Sequence, residues 1–80
     1  MYFTYIIKSR KDNTYYYGST NNLEKRLYIH NLGKVKYTKG NRPWLLHYSE
    51  RFEKRSDAVQ RELFFKSIDG YNWLKQNKIT

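Results

Sequence analysis

The chain has 80 residues, a length that suits one small domain, and it lacks cysteine, which excludes disulfides and thiolate metal sites. Its 16 Lys and Arg against 7 Asp and Glu give a formal net charge of +9, which favours binding to polyanions, above all nucleic acid. The apolar start, Met1 to Ile7, is too short for a signal peptide or a membrane span. We therefore predict one domain, residues 1–80, in the cytoplasm and without membrane contact.

Two strands joined by a turn are predicted to open the chain. Residues Tyr2 to Lys8 alternate with the period of two that is typical of a strand. Arg10 to Asn13 favour a turn, since Asp and Asn side chains bond their own backbone. A second, tyrosine-rich strand follows and is expected to stop at Gly18. An even hairpin loop without a bulge would place Tyr5 and Tyr16 on the same face, and an odd loop would separate them.

A helix is predicted after the second strand. Asn21, followed three residues later by Glu24, matches a capping box, so the helix should begin one residue after Asn21. Gly33 is expected to end it in the left-handed conformation. Arg26 and His30 are four residues apart and so share one face of this helix. Polar groups at the edge of a buried stripe, just after a strand, favour a site for an anionic ligand.

A basic loop and a third strand are predicted next. Gly33 to Pro43 holds four Lys or Arg and is expected to form a cationic loop. Trp44 to Phe52 is rich in aromatic and aliphatic residues and is predicted to be a strand.

Two helices are predicted to close the chain. The first runs from Asp57 to about Asp69, with Ser56 as its N-cap and the glycine that follows as its end. A last short helix, Tyr71 to Lys78, is expected to pack back through Tyr71 and Leu74. The order β-β-α-β-α-α predicts a small α+β domain, in which helices flank a three-stranded, mostly antiparallel sheet.

One carboxylate does not fit a simple amphipathic helix. Glu62 shares the inward face of the predicted helix with Ala58 and Phe65. Carboxylates are rarely buried without a partner, because desolvation is costly. Glu62 is therefore expected to pair with Lys66, to form a buried bridge with Arg26, or to serve a function.

Taken in order, these residues resemble the motifs of the GIY-YIG nuclease superfamily. The resemblance is to the small stand-alone group that is similar to the catalytic domains of an excision-repair nuclease and of intron-encoded homing endonucleases, and it covers nearly the whole chain. The residues that carry it are Phe3-Thr4-Tyr5, Tyr16-Tyr17-Gly18, Leu23, Arg26, His30, Asn31, Gly33, Lys34, Thr38, Arg42-Pro43-Trp44, Glu62 and Lys66. The first motif lacks its glycine and isoleucine, but both motifs keep their tyrosine. Asn72 is the candidate for the family's late asparagine.

The resemblance implies hydrolysis of a DNA phosphodiester with one Mg²⁺ or Mn²⁺ ion. Glu62 would hold the metal, since Mg²⁺ is commonly bound by one or two carboxylates together with waters and substrate phosphate. Arg26 would hold the scissile phosphate through its fork of donors and stabilise charge in the transition state.

A tyrosine is the expected general base under this resemblance. Tyr5 is assigned this role, with Tyr16 supporting it by a hydrogen bond. An unperturbed phenol is a poor base at neutral pH, but nearby Arg26, Lys8 and the metal are expected to favour the phenolate. His30 is the competing base or a phosphate contact, because its ordinary pKa is better placed.

Basic residues are expected to contact the nucleic-acid backbone without reading its sequence. They are Lys8, Lys34, Lys36, Lys39, Arg42 and Lys66.

Structural explanations compete with these roles. Tyr5 and Tyr16 could be ordinary sheet aromatics, His30 a helix-end cap and Arg26 a solvated charge. Arg42 could stack over the neighbouring tryptophan.

Three functions are compatible with the sequence. The first is an endonuclease that nicks DNA as a monomer or weak dimer. The second is a non-catalytic, basic nucleic-acid-binding module on the same fold, and the third is a protein-binding scaffold. Because the chain ends at Thr80, without room for a separate DNA-binding domain, target choice is expected to come from nucleic-acid structure or from a partner protein.

Overall fold

A computed structural model describes all 80 residues of the protein. The elements are β1 (Tyr2–Ser9), β2 (Tyr15–Thr20), α1 (Leu23–Asn31), β3 (Trp44–Phe52), α2 (Arg55–Phe65) and α3 (Ile68–Gln76), with a short 3-10 turn at Lys39–Asn41. This order confirms the predicted α+β fold. None of the helices is both long and apolar enough to cross a membrane.

The sheet has the strand order β2-β1-β3, and both pairings are antiparallel. In the hairpin, Tyr5 lies opposite Gly18 and Ile7 lies opposite Tyr16. Cross-strand partners share a face, so Tyr5 and Tyr16 lie on the same side of the sheet, as an even loop predicts. Asn13 supplies the turn residue with a positive φ of 63°.

Helices cover both faces of the central strand β1. On one face, Tyr5, Ile7 and Trp44 form a buried cluster against the Leu23 and Leu27 side chains of α1. On the other face, a second aromatic cluster lies under α2 and α3. Its buried members are Ile6, Phe65 and Leu74. Each face of the sheet therefore has its own buried cluster, and the sheet separates the two clusters.

Gly18 does not end the second strand, which continues to Thr20. The Tyr5 ring packs directly against Gly18 on the neighbouring strand, and a Cβ on Gly18 would overlap that ring. Glycine within a strand often marks such a close approach. The residue therefore makes room for the tyrosine side chain, and the prediction that it stops the strand is wrong.

The first helix begins one residue later than predicted. Asn22, not Asn21, is the N-cap, and its side-chain oxygen accepts the Lys25 backbone N–H at 3.1 Å. The C-terminal prediction is confirmed. Gly33 has a φ of +79° and donates its N–H to the His30 carbonyl at 3.1 Å, as expected of a helix-ending glycine.

The two C-terminal helices divide at a different place from the one predicted. The first begins at Arg55 without a side-chain cap from Ser56, and it ends at Phe65. The Ser67 hydroxyl accepts the Gly70 N–H at 3.1 Å and so caps α3, which places Gly70 inside that helix. Leu74 packs into the core as expected, but Tyr71 is half exposed.

Gly70 is required at the contact between α2 and α3. A Cβ there would overlap the backbone carbonyl of Phe64, which cannot rotate away. We expect Gly70→Ala to lower the free energy of unfolding by about 3 kcal/mol, because it forces the two helices apart. Gly40→Ala is the matched control, since its Cβ would meet no atom within 4 Å, and it should change stability by less than about 1 kcal/mol. Urea denaturation of both variants checks this, and equal effects would contradict it.

Candidate active site

Three of the predicted site residues form a hydrogen-bonded cluster on the α1 face of the sheet. The Tyr5 hydroxyl lies 2.9 Å from His30 Nε2, and Arg26 Nε donates to the same hydroxyl at 3.4 Å. Strand β1 supplies the tyrosine, and α1 supplies the other two from successive turns of one helix face. The sequence spacing thus brings a phenol, an imidazole and a guanidinium into direct contact.

Thr38 extends this cluster on the far side of the imidazole. Its hydroxyl lies 2.8 Å from His30 Nδ1 and 3.4 Å from the Val35 carbonyl. A carbonyl can only accept, so a Thr38 hydroxyl that donates to Val35 accepts from His30 Nδ1–H, and this tautomer is assigned from the hydrogen-bond network. Nε2 is then the unprotonated nitrogen, which accepts the Tyr5 proton. The motif alone names Thr38, but only the fold shows that it orients the imidazole.

His30 is neutral in this environment. Its side chain has no exposed surface, and burial, followed by the charge of Arg26, lowers its pKa from 6.5 to about 4. Both ring nitrogens are occupied by Tyr5 and Thr38. Direct contact with a phosphate is therefore excluded, and so is capping of the helix carbonyls. The expectation that its pKa suits a base at neutral pH is also wrong, because desolvation disfavours the imidazolium.

The His30 environment predicts a loss of stability in mild acid. As the pH falls from about 6.5 to about 4, the imidazole of the unfolded chain binds a proton before that of the folded chain does. The free energy of unfolding should therefore drop by up to about 3 kcal/mol across this window. The hydrogen bond from Thr14 lowers the pKa of Asp12 below 3.8, so the stabilisation that this carboxylate gives is lost only at still lower pH.

Urea midpoints measured from pH 7 to pH 4 test this expectation. His30→Gln should flatten the profile, and His47→Gln, at an exposed position, should preserve it. A wild-type profile without slope between pH 6.5 and pH 4.5 would contradict the neutral, buried imidazole.

The surroundings of Tyr5 do not favour its phenolate. Its side chain is 2% exposed, and burial raises the pKa of the phenol more than the hydrogen bond and charge of Arg26 lower it. Lys8 lies elsewhere, with its ammonium 5.4 Å from the centre of the Tyr15 ring. The predicted help from Lys8 is therefore wrong, and the phenol stays protonated unless its proton has an acceptor such as His30.

Tyr16 lies beside the cluster but outside its hydrogen bonds. Its ring centre is 5.2 Å from that of His30 and 6.5 Å from that of Trp44, both in edge-on geometry. No hydrogen bond joins the two phenols, so the expected support of Tyr5 by Tyr16 is not formed. The Tyr16 hydroxyl has no partner in the protein and remains available to a ligand.

Glu62 approaches from the helix layer on the other face of the sheet. Its side chain is 19% exposed and pairs with the Lys66 ammonium at 2.7 Å, which is the i,i+4 pair named as one alternative. The buried bridge to Arg26 is not formed. The negative charge of Glu62 nevertheless contributes, as the smallest cause, to the raised pKa of the Tyr5 phenol. The carboxylate is thus close enough to the cluster to act on it electrostatically.

The donors near the cluster include one carboxylate that suits Mg²⁺. No group of three or more His, Cys, Asp or Glu side chains converges in the protein, so such side chains would have to be supplemented by water and phosphate oxygens. A single largely covered carboxylate, Glu62, suits Mg²⁺, which keeps several waters and takes further oxygens from a phosphate. Lys66 would have to give up its bond to that carboxylate.

The basic loop lies next to the cluster because buried groups anchor it. Trp44 Nε1 donates to the Thr38 carbonyl at 2.9 Å. The Asn31 side chain pairs with the Trp44 backbone at 2.7 and 3.0 Å and so clamps α1 to β3. No local pattern of residues predicts this clamp. The exposed cations of the loop are Lys34, Lys36, Lys39 and Arg42.

Two further predicted residues lie away from these contacts. The Arg42 guanidinium packs against Gly33, and its Nε donates to the Lys39 carbonyl at 2.8 Å. It does not stack on Trp44. Asn72 is exposed on α3 and bonds to none of the cluster residues.

Comparison with known proteins identifies the family of this chain. Residues 1–77 match the model of the GIY-YIG catalytic domain. UPF0213 protein SH2523 of Staphylococcus haemolyticus is 44% identical over 75 residues, which are 92% of this chain and 90% of that protein. UPF0213 protein YazA of Bacillus subtilis is 46% identical over 68 residues, which are 84% of this chain and 68% of that protein.

A solved structure shares the fold. The solution NMR structure of UPF0213 protein BH0048 from Bacillus halodurans superposes with a TM-score of 0.56 at 29% identity, over 98% of this chain and 86% of that one. GIY-YIG nucleases act on DNA. The chain therefore belongs to the GIY-YIG nuclease domain family, and its relatives there are the UPF0213 proteins.

Proposed function

We propose that this protein is a metal-dependent endonuclease that hydrolyses DNA phosphodiester bonds and nicks one strand at a time. The observation that carries the proposal is the directed hydrogen-bond chain from Arg26 through Tyr5 and His30 to Thr38. A buried chain of this kind is costly unless every member is satisfied, and it ends at a cation suited to phosphate.

Arg26 binds the scissile phosphate in this proposal. Its Nε is committed to Tyr5, which leaves both terminal nitrogens of the guanidinium for two phosphate oxygens. The bond to Tyr5 also fixes the plane of the fork, so the guanidinium is oriented before substrate arrives. The fork then stabilises the additional negative charge of the transition state.

Tyr5 and His30 move the proton of the attacking water. Tyr5 Oη accepts this proton and passes its own along the existing hydrogen bond to His30 Nε2. The phenol stays neutral overall, so its raised pKa is no obstacle. The cost falls on the buried imidazole, whose protonation the negative transition state partly offsets. Thr38 holds His30 in the tautomer that can accept this proton.

Glu62 would hold one Mg²⁺ or Mn²⁺ ion together with waters and the phosphate. Such an ion supplies charge stabilisation at the 3′ oxygen that leaves. Lys66, which lies at the C-terminal end of α2, can contact the DNA backbone once it is released from Glu62, as can the cations of the basic loop. These contacts give affinity without sequence information, so target choice falls to DNA shape or a partner protein.

Nicking of supercoiled plasmid tests the proposal. Pure protein is incubated with plasmid and Mg²⁺ or Mn²⁺, beside a chelator control and the Glu62→Ala and Arg26→Ala variants. We expect metal-dependent conversion to the open circle by the wild type alone. Nicking that persists unchanged in both variants would identify a contaminant and remove the support for the assignment.

The Glu62–Lys66 pair favours one alternative, a binding module in which the carboxylate is structural. Such a module would show salt-sensitive DNA binding without nicking. The same assay, run beside a binding titration, separates the two functions.

A further inference from the structure

A cavity of about 310 Å³ opens at the end of β2, beyond the hydrogen-bonded cluster. It lies between the last residues of that strand, the start of β1 and the first turn of α2. Its lining residues are Tyr2, Ser19, Thr20, Asn21, Arg55 and Ala58. None of them belongs to the catalytic set proposed above.

Most polar side chains of this cavity have no partner in the protein. Thr20 is the exception, since its hydroxyl accepts the Asn22 N–H at 3.2 Å. The Ser19 hydroxyl, the Asn21 amide and the Arg55 guanidinium make no side-chain hydrogen bond, and both ion pairs of the protein involve other residues. Unused donors around one arginine in a concave site are complementary to an anion.

Glu53 and Asp57 each lie two positions from Arg55 along the chain, and neither forms an ion pair with it. Asp57 lines a separate cavity with Phe52 and Arg61. The Arg55 guanidinium is therefore neutralised neither by that carboxylate nor by an ion pair, and it keeps its charge for a ligand.

The cavity adjoins the space beside Arg26. Thr20 and Asn21 also line a second cavity, of about 190 Å³, which contains Arg26 and Lys25. The end of β2 thus forms a wall shared by two cavities, each with an arginine. On the α2 side, Ala58 closes the Arg55 cavity and Glu62 follows one helical turn later.

We propose that the Arg55 cavity binds a phosphate that neighbours the scissile one on the cleaved DNA strand. Arg55 grips two phosphate oxygens with its fork, and Ser19 and Asn21 donate further hydrogen bonds. This inference rests on the proposed function, because it takes the scissile phosphate to lie at Arg26. It makes Arg55 a binding residue that fixes the register of the strand and touches none of the reacting atoms.

A salt titration of DNA binding measures this contact without any cleavage. A fluorescent duplex of fixed length is titrated by anisotropy in chelator, over a series of salt concentrations, with wild type, Arg55→Gln and Lys75→Gln. Removing one phosphate contact should reduce the slope of log K against log salt by about 0.9. Lys75→Gln removes the same charge on α3, where the ammonium lies 5.4 Å from the centre of the Tyr71 ring, and should leave the slope unchanged.

A second measurement locates the contact on the strand. Duplexes that carry one neutral methylphosphonate linkage are tested position by position around the cleavage site. The wild type should bind less tightly when the neutral linkage lies at one position beside the scissile linkage. Arg55→Gln should bind that duplex as tightly as it binds the unmodified one. Arg55→Lys should restore the salt slope but only part of the affinity, since a point charge replaces the fork.

The inference is overturned if Arg55→Gln has the wild-type slope, or if it is as sensitive as wild type to every neutral linkage. Either result, together with normal nicking, would contradict phosphate binding in the Arg55 cavity and leave the proposed nuclease function unaffected. A wild type that binds without nicking in Mg²⁺ removes the proposed function, and with it the scissile phosphate to which the cavity refers.

Discussion

Nicking of supercoiled DNA by Arg26→Lys is expected to be about 100-fold to 1,000-fold slower than by the wild type. Lysine keeps the positive charge but lacks the fork, so it cannot bond to Tyr5 and to two phosphate oxygens at once. The loss should appear in single-turnover rates at saturating DNA, because the fork acts on the transition state.

Arg51→Lys is the matched control for this prediction. It makes the same substitution at an exposed position on β3 that forms no hydrogen bond or ion pair with the cluster, and it should nick at the wild-type rate. Arg26→Lys activity within about threefold of wild type would show that charge alone suffices, and the bidentate role of Arg26 would be contradicted.

The second large effect is expected from Tyr5→Phe, which removes one oxygen atom. Without it the attacking water has no acceptor in contact with His30, so we expect the nicking rate to fall by about 100-fold to 10,000-fold. The change also leaves buried Nε2 of His30 without its donor, which should cost about 1–3 kcal/mol of stability. Thermal unfolding, measured beside the nicking rate, separates the two effects.

Two other tyrosines provide the comparison. Tyr28→Phe alters a phenol on α1 that is 64% exposed, and it should change neither rate nor stability. A larger rate loss in Tyr16→Phe than in Tyr5→Phe would transfer the role of base to Tyr16, whose hydroxyl is free. Full activity of Tyr5→Phe would reduce Tyr5 to a sheet aromatic.

Local sequence predicts the existence of every strand and helix but not all of their ends, for a physical reason. The third strand has the predicted bounds, Trp44–Phe52. The proline before it and its aromatic and aliphatic residues mark it without reference to the rest of the fold. The local pattern predicts that Gly18 ends a strand and that Gly70 ends a helix. Each is in fact a place where another part of the chain comes too close for a Cβ. Local sequence cannot distinguish these two uses of glycine.

Local sequence likewise predicts only part of the candidate site. Helical spacing predicts that Arg26 and His30 share one face. Strand alternation predicts one face for Tyr5 and Tyr16 only if the hairpin loop is even, and the register shows such a loop. The burial that lowers the pKa of His30 and raises that of Tyr5 could not be predicted. Nor could the contact of the Thr38 hydroxyl with the imidazole be predicted, because Thr38 lies in a loop whose path is fixed by tertiary contacts.

The proposed active site would join two layers of the protein. The guanidinium, imidazole and phenol belong to the α1 face, and Glu62 belongs to α2 on the opposite face. The central claim is that DNA hydrolysis needs both layers at one phosphate. Residues that act as a unit give strongly non-additive losses when they are removed together.

A double-mutant cycle on the nicking rate tests this most directly, with wild type, Arg26→Ala, Glu62→Gln and the double variant measured in Mg²⁺. We predict that each single change costs about 100-fold or more and that the double variant is hardly slower than the worse single one. Single losses that multiply in the double variant, or a Glu62→Gln variant with the wild-type rate, would contradict this claim.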